Sequence, residues 1–436
     1  MRILTIAIDL NPGGAQRVAR NFALSYRRYG VDSAYFGYEG GGPLAQQLLD
    51  QQVAVFTGSL NELEQRAALK RALAWRPDVV HIHRPGSRDA RSATLRAIKA
   101  ASRPGTTAPI GIVETNFFGR VDYSNTRGLI DVHYLISRWC LWKWERWARI
   151  VDPRPIGILL PNLVMHTEFA PRSEQVRNEF RRAHRIPVDA LVFGRIGSPD
   201  VSKWSAAIFS AFAEYASVNT NAWLVLVGLP VELQAAREAL SADIRRRTLC
   251  IEFLREDALV VDAYGAMDVF LHTAKIGETF GMVLAEALLC GIPVITLGTP
   301  DKDNGQLEIV GHECGGLVVA NVAAMVAAMR RLEDPALRRR YADQGAAAIV
   351  NRFSAEALVP TAIDVAQLVS EGLSPEALRR KLLARPELCM HVSDDDINTL
   401  LQGCIGRYDS KSIALMKLVS NPHLYKIYSF AMAKSP

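Results

Sequence analysis

Two successive series of short apolar runs, alternating with helix-length segments and mostly punctuated by glycine or proline, constrain this 436-residue chain more than any other feature. The first series opens with Ile3 to Ile8, which reads as a buried strand. Pro12, Gly13 and Gly14 break it, and a helical segment follows from about Ala15 to Arg28, with Gly30 where a helix-ending glycine belongs. The runs 33–36, 53–56, 79–82, 110–113 and 133–136 continue the pattern. Pro153, Pro155, Pro161 and Pro171 interrupt it, and it restarts with runs 191–196, 223–227, 249–253, 269–272, 293–297 and 317–319. Strands alternating with helices of this length predict parallel sheets wound on both faces. Ligands of such sheets sit beyond the C-terminal ends of the strands. The expected architecture is therefore α/β, with one such domain over residues 1–165 and another over 166–348. Residues from about 350 onward are helical in composition.

A chain of this length exceeds what one hydrophobic core serves, which agrees with two domains plus an appendage. Its net charge of +6 suits a protein that handles phosphates or rests near anionic lipid. The basic residues are spread out rather than gathered into one stripe, so no nucleic-acid partner is expected. The six cysteines (Cys140, Cys250, Cys290, Cys314, Cys389 and Cys404) form no CxxC pair and no metal-ligand spacing. They are expected to be reduced and mostly buried. The apolar run at the N-terminus is too short for a signal sequence. The longest later run, Leu317 to Met329, is interrupted by Asn321. A cytoplasmic protein is expected, attached to a membrane at most from its inner face.

The stretch from Gly277 to Ile295 carries the chemistry. It ends simply: a helix closes at Gly291, Pro293 follows, and a buried strand begins. At its start, Gly281 removes a side chain near the beginning of a helix, so that backbone N–H groups of Phe280, Gly281 and Met282 can meet an anion. Glu278 lies just before that start. Glu286 follows eight residues later, about 12 Å along a helix axis and about 80° round it. Apolar Leu284, Ala285, Ala287 and Leu288 surround Glu286, and a buried carboxylate requires a partner or a ligand. An anion at the helix start would thus have one carboxylate on either side. That is the order of sugar, diphosphate and ribose in a nucleotide-diphosphate sugar.

Glu278 and Glu286, with Thr279-Phe280-Gly281-Met282-Val283-Leu284-Ala285 between them, resemble the E-x7-E signature of retaining glycosyltransferases of family four. The resemblance implies the GT-B fold, two Rossmann-like domains facing across a cleft. It implies that Glu286 holds ribose hydroxyls and that Glu278 contacts the transferred sugar. Thr279, Phe280, Gly281 and Met282 would then lie along the diphosphate and sugar. Gly194-Arg195-Ile196-Gly197 with Ser202-Lys203-Trp204 is similar to the family's strand-end arginine and downstream lysine, which implies that Arg195 and Lys203 neutralise the departing diphosphate. The turn around Gly14 resembles the family's glycine loop. Pro161-Asn162 resembles its inter-domain crossing, and Asn351-Arg352-Phe353-Ser354 the start of a closing helix over 349–372 that returns to the first domain.

The family's first-domain histidine is absent. Asn116 stands after the strand ending Glu114-Thr115, and asparagine can orient a hydroxyl but is no base at neutral pH. Asn116 and His83 are the acceptor-side candidates, with strand-end packing the alternative for His81 and His83. The resemblance implies a donor linked to UDP or GDP, a saccharide or lipid-linked saccharide acceptor, no required cofactor and no metal. It suits cell-surface polysaccharide or glycolipid synthesis. An epimerase of the same fold and a non-catalytic nucleotide-sugar-binding module are the alternatives. A dehydrogenase is disfavoured, since the first turn lacks G-x-G-x-x-G.

Two other features have simpler readings. Asp394-Asp395-Asp396 follows Ser393 and precedes an apolar helical pattern, so a serine cap with acids in the first turn accounts for it without a metal. The segment from Arg138 to Ile150 holds four of the seven tryptophans among basic residues. Core packing is its plainer reading, peripheral contact with the inner face of a membrane the other. The family accounts for nothing in residues 373–436.

Overall fold

The computed structural model describes residues 1–102, 105 and 108–424. They form two compact units. The first joins Met1–Val164 to Phe353–Asp394 and the segment from Ser420; the second joins Met165–Arg352 to Asp395–Val419.

Among the described residues, the first unit holds a seven-stranded sheet: β1 (Arg2–Ala7), β2 (Asp32–Gly37), β3 (Ala54–Thr57), β4 (Val79–Arg84), β5 (Gly111–Asn116), β6 (Val132–Leu135) and β7 (Gly157–Leu159). Every pairing is parallel, in the order β3-β2-β1-β4-β5-β6-β7. Both faces are covered, which is why the strands read as nearly continuous apolar runs. Leu4, Ile6, Val80, Ile82 and Ile112 pack with Leu95 and Ile98 on one side; Ala7 and Tyr35 pack with Ala19, Ala23 and Leu48 on the other. Each fully buried Leu or Ile contributes roughly 1.5–3 kcal/mol. The helix Gly14–Arg28 starts from extended Gly13 directly after the first turn.

β5 runs three residues beyond its apolar stretch because its polar end is paired internally. The wholly buried Arg84 contacts Glu114, Asp122 and Ser92, and Glu114 also contacts His133. A buried carboxylate so matched stays charged: burial opposes it, but Arg84 and His133 bring Glu114 below its ordinary range.

The second unit repeats the scheme with β8 (Leu191–Ile196), β9 (Ala222–Val227), β10 (Thr248–Ile251), β11 (Val269–His272), β12 (Val294–Leu297) and β13 (Gly316–Val319), in the order β10-β9-β8-β11-β12-β13. Phe193, Leu224, Leu226, Leu271 and Ile295 pack against Phe209, Phe212, Met325 and Met329.

The C-terminal fifth of the chain serves both units. Ser354 caps the helix Ala355–Ser370 through Ala357 N, and that helix packs on β4, β5 and Gly14–Arg28 in the first unit. Further on, the chain joins the second sheet: Ile405 N donates to Val318 O (2.8 Å) and Ala320 N to Ile405 O (3.0 Å), beside the edge strand β13. Tyr408 then lies on Gly298, at the end of β12. The helices Pro375–Leu383, Asp394–Gln402 and Ser410–Val419 make up most of the remainder.

Two readings hold with added detail, and one expectation needs correction. The tryptophan segment forms the helix Arg138–Ala148, and Trp139, Trp142 and Trp144 are buried in the first unit, so it offers no tryptophan stripe to a membrane. Asp394 starts the helix after Ser393 as read, but it also accepts Trp142 Nε1 (2.7 Å) and contacts Arg146. Only Cys140 and Cys290 are buried; the other four cysteines are half-buried, and none is in a disulfide.

Candidate active site

The helix Met282–Leu289 begins two residues later than the sequence predicts, because Gly281 takes a left-handed conformation (φ 94°) and acts as its N-cap. The N–H groups of Gly281 and Met282 donate to no carbonyl or side chain among the described residues. Just upstream, Gly277 (φ 70°) brings the backbone so close to Asp303 O that a Cβ would stand 1.7 Å from it. This turn is fastened to the 298–306 loop. Glu278 N donates to Gln306 Oε1 (3.0 Å), and Gly305 N donates to Glu278 O (2.7 Å). Gln306 in turn donates to Leu297 O, Thr299 Oγ1 and Asn304 Oδ1.

The position of Glu278 is thus set by backbone, and its carboxylate is held by side chains. Lys203 Nζ donates to Glu278 Oε2 at 2.7 Å, and His272 Nε2 stands 3.7 Å from Oε1. Burial resists ionisation of Glu278, but His272 and Lys203 outweigh it and hold the carboxyl at about 2. Burial, with Arg195 nearby, brings the His272 imidazole down to about 4, so the ring is neutral at physiological pH. Its Nδ1 shares a hydrogen bond with Thr296 Oγ1 (2.9 Å).

Arg195 is the site's most demanding group. It is 1% exposed, on the last turn of β8, with its guanidinium over the rings of Trp204 (5.3 Å) and Phe270 (5.5 Å). Nη2 donates to Lys203 O (3.0 Å), while Nε and Nη1 are buried without partners. Burial lowers its pKa to about 10, with Glu278 and Tyr264 opposing the shift. A buried cation with two unused donors is costly unless an anion arrives. On the inner side, Tyr264 Oη donates to Glu286 Oε2 (3.2 Å) and Val283 O (3.1 Å), and Glu286 is buried.

The structure therefore gathers Arg195, Lys203, Glu278, Thr279, Phe280, Gly281, Met282 and Glu286 at the C-terminal ends of β8 and β11. It adds His272 and Tyr264, which the sequence reading missed. His272 ends a predicted strand on the ligand side of the sheet, a signal that could have found it. Among the described residues there is no group of three His, Cys, Asp or Glu able to hold a metal ion.

The first-unit candidates fare differently. Gly14 is exposed, and a Cβ there would meet nothing within 4 Å. Asn116 is fully buried and closes its own loop, donating from Nδ2 to Arg120 O (2.7 Å) and accepting from Arg120 N (3.2 Å). His83 is also fully buried, against Phe22, His81 and Phe117, and burial pushes its pKa well below the ordinary histidine value. Neither side chain meets solvent, and both ring nitrogens of His83 are buried without a hydrogen-bond partner among the described residues. His81 is structural, sharing hydrogen bonds with Tyr26 Oη (2.9 Å) and Thr115 Oγ1 (2.8 Å). Phe118 and Arg120 are among the exposed side chains beyond β5, with the guanidinium 4.8 Å from the ring centre.

Comparison with known proteins identifies the class. Residues 176–348 match the family model described as Glycosyl transferases group 1. Over 283 residues the chain is 25% identical to phosphatidyl-myo-inositol mannosyltransferase of Mycobacterium leprae (strain TN), covering 62% of this chain and 68% of that one. The structure of Anabaena Alr3699/HepE with UDP and glucose superposes with a TM-score of 0.62 at 20% identity, over 84% of this chain and 98% of that one. Sucrose-phosphate synthase from Thermosynechococcus elongatus gives 0.62 at 17% identity, over 88% and 99%. The chain has the GT-B fold and is a glycosyltransferase, and its residues 176–348 match the glycosyl transferases group 1 model.

Proposed function

We propose that the protein transfers a hexose, with retention of anomeric configuration, from a UDP- or GDP-linked donor to a saccharide or lipid-linked saccharide. The observation that carries this reading is the buried, under-paired Arg195 beside the Lys203–Glu278 pair and the N–H groups of Gly281 and Met282. The diphosphate supplies the anion these groups lack. Glu286, oriented by Tyr264, takes the ribose hydroxyls, and Glu278 takes hydroxyls of the sugar. In the transfer, the bond from the anomeric carbon to the diphosphate oxygen breaks and a bond to the acceptor oxygen forms on the same face. The acceptor proton passes to the leaving phosphate oxygen, whose growing charge Arg195 and Lys203 neutralise. No side-chain base is needed, which agrees with Asn116 at the end of β5 and with a neutral, buried His83. UDP in complexes of the structural relatives supports a uridine donor as the first to test.

The first unit takes the acceptor in this reading. The exposed Gly14 turn and the Phe118–Arg120 loop inherit the role expected of Asn116 and His83. Synthesis of a cell-surface polysaccharide or glycolipid is the setting proposed. Six cysteines, none in a disulfide, favour a reducing compartment such as the cytoplasm.

The test is a thermal-shift panel of UDP-, GDP-, ADP- and dTDP-linked sugars, since a ligand stabilises the folded state by mass action. Proton NMR of the product formed from the stabilising donor follows. An axial donor sugar that remains axial in the product supports the proposal; inversion overturns the retaining step. Conversion of the donor with no acceptor present identifies an epimerase, and binding without turnover a binding module.

A further inference from the structure

A second anion site lies in the donor-side unit, away from the residues above. A cavity of about 1070 Å³ opens along the outer edge of the second sheet, where β9 and β10 begin. Arg185, Arg237, Arg245, Arg246, Glu238 and Trp223 line it. Arg195, Glu278 and Glu286 follow the opposite, C-terminal ends of inner strands of the same sheet, and none of them reaches this cavity.

Charge is what distinguishes it. With Arg247, five arginines stand against Glu238 and Asp243, a surplus of three positive charges around one concavity. Arg247 is committed to the fold, donating to Ala216 O, Asn219 O, Ala222 O and Asp243. The other four are held loosely. The Arg185 side chain has no partner among the described residues, and Arg246 meets only Asp243 (3.1 Å) while remaining largely exposed. Arg245 donates one bond, to Glu238 O (3.1 Å), and Arg237 a long bond of 3.5 Å to Thr248 O besides a hydrogen bond with Cys250. Arg185, Arg245 and Arg246 are exposed and Arg237 is half-buried, so these guanidinium groups face solvent around an open concavity, where their summed positive potential attracts anions. Their planar forks match the oxygens of phosphate, with which they form paired hydrogen bonds.

We propose that this cavity binds a ligand bearing two or more phosphate groups, distinct from the sugar donor. Two sources share that chemistry, a soluble phosphorylated metabolite and the headgroups of an anionic bilayer. The inference does not depend on the donor reading.

The test uses the full chain and the variant Arg237→Gln/Arg245→Gln/Arg246→Gln, with inorganic pyrophosphate titrated calorimetrically in the presence and absence of excess UDP. Co-sedimentation with vesicles of phosphatidylglycerol in phosphatidylcholine forms the second arm. Binding of pyrophosphate that persists under UDP and weakens at least about a hundredfold in the triple variant supports a soluble ligand. Vesicle binding that is lost in the triple variant supports headgroups. Arg246→Glu alone, a change at an exposed position, should weaken whichever probe binds, and it guards against misfolding of the triple variant. Pyrophosphate binding that UDP abolishes belongs to the donor site and counts against the second site. If neither probe binds, or if binding is the same in wild type and variants, the proposal is overturned.

Discussion

Replacing Arg195 with Met should leave the unliganded protein as stable as before, or more so, while removing its response to UDP. The lowered pKa of the guanidinium, about 10 against an ordinary 12.5, corresponds to a cost of about 3 kcal/mol for the charged form in the fold. The sign follows from the direction. The charged form of a base is disfavoured by a depressed folded pKa, so the cost is fully present below about pH 10 and lost only in strong alkali. Methionine removes that cost and keeps most of the volume between Trp204 and Phe270. It also forfeits the hydrogen bond to Lys203 O, worth about 1 kcal/mol, and cation–π contacts worth about 1 kcal/mol together. The net change expected is between about 0 and +2 kcal/mol. Removing a buried arginine whose donors were all satisfied would instead cost several kcal/mol. With ligand present the sign reverses: two charge-assisted hydrogen bonds to the diphosphate, about 1.5–3 kcal/mol each, are lost, weakening UDP at least about a hundredfold. Urea melts at neutral pH and UDP titrations measure both quantities. A variant destabilised by more than about 2 kcal/mol that still binds UDP like wild type would refute the reasoning, because Arg195 would then be a structural residue.

Lys203→Met should move the acid limb of stability upward. The depressed Glu278 carboxyl contributes stability that is full above its ordinary pKa of 4.5 and is lost as pH falls from there through about 2; without Lys203 the contribution is smaller at neutral pH and is exhausted at a higher pH, which melts between neutrality and strong acid would detect. Gly298→Ala places a Cβ 2.1 Å from Tyr408 Oη and 2.8 Å from Cζ, so a loss of about 1–3 kcal/mol is expected, largely relieved in the double variant with Tyr408→Ala. Additive losses in that double-mutant cycle would show that the tail does not rest on this loop. Asn116→Ala should cost about 1–3 kcal/mol through the two lost bonds to Arg120 and leave the KM for the acceptor unchanged; a marked rise in that KM would return Asn116 to the acceptor site.

The strands were legible because parallel strands covered on both faces leave continuous apolar runs. Where polar residues complete a strand, as Glu114, Thr115 and Asn116 do in β5, the run stops early, since pairing with Arg84 and His133 depends on neighbours far along the chain. The glutamate helix was legible because its glycines, its cap and its two acids are local. Its exact start was not, because Gly281 places the first turn only once its left-handed backbone is known. His272 and Tyr264 escaped notice because their partners Glu278 and Glu286 come together through sheet order rather than spacing. Asn116 and His83 were read at the right strand ends, but a sequence does not say which side chains a loop consumes or a helix covers. Nor does it mark Ile405, a single residue that joins β13 through two backbone hydrogen bonds.

A crystal structure of the protein with UDP asks the central question directly. The account predicts diphosphate oxygens within hydrogen-bond distance of the Arg195 guanidinium and of the Gly281 and Met282 amides, with ribose hydroxyls on Glu286. UDP bound elsewhere, with the Nε and Nη1 of Arg195 still unpaired, would contradict it.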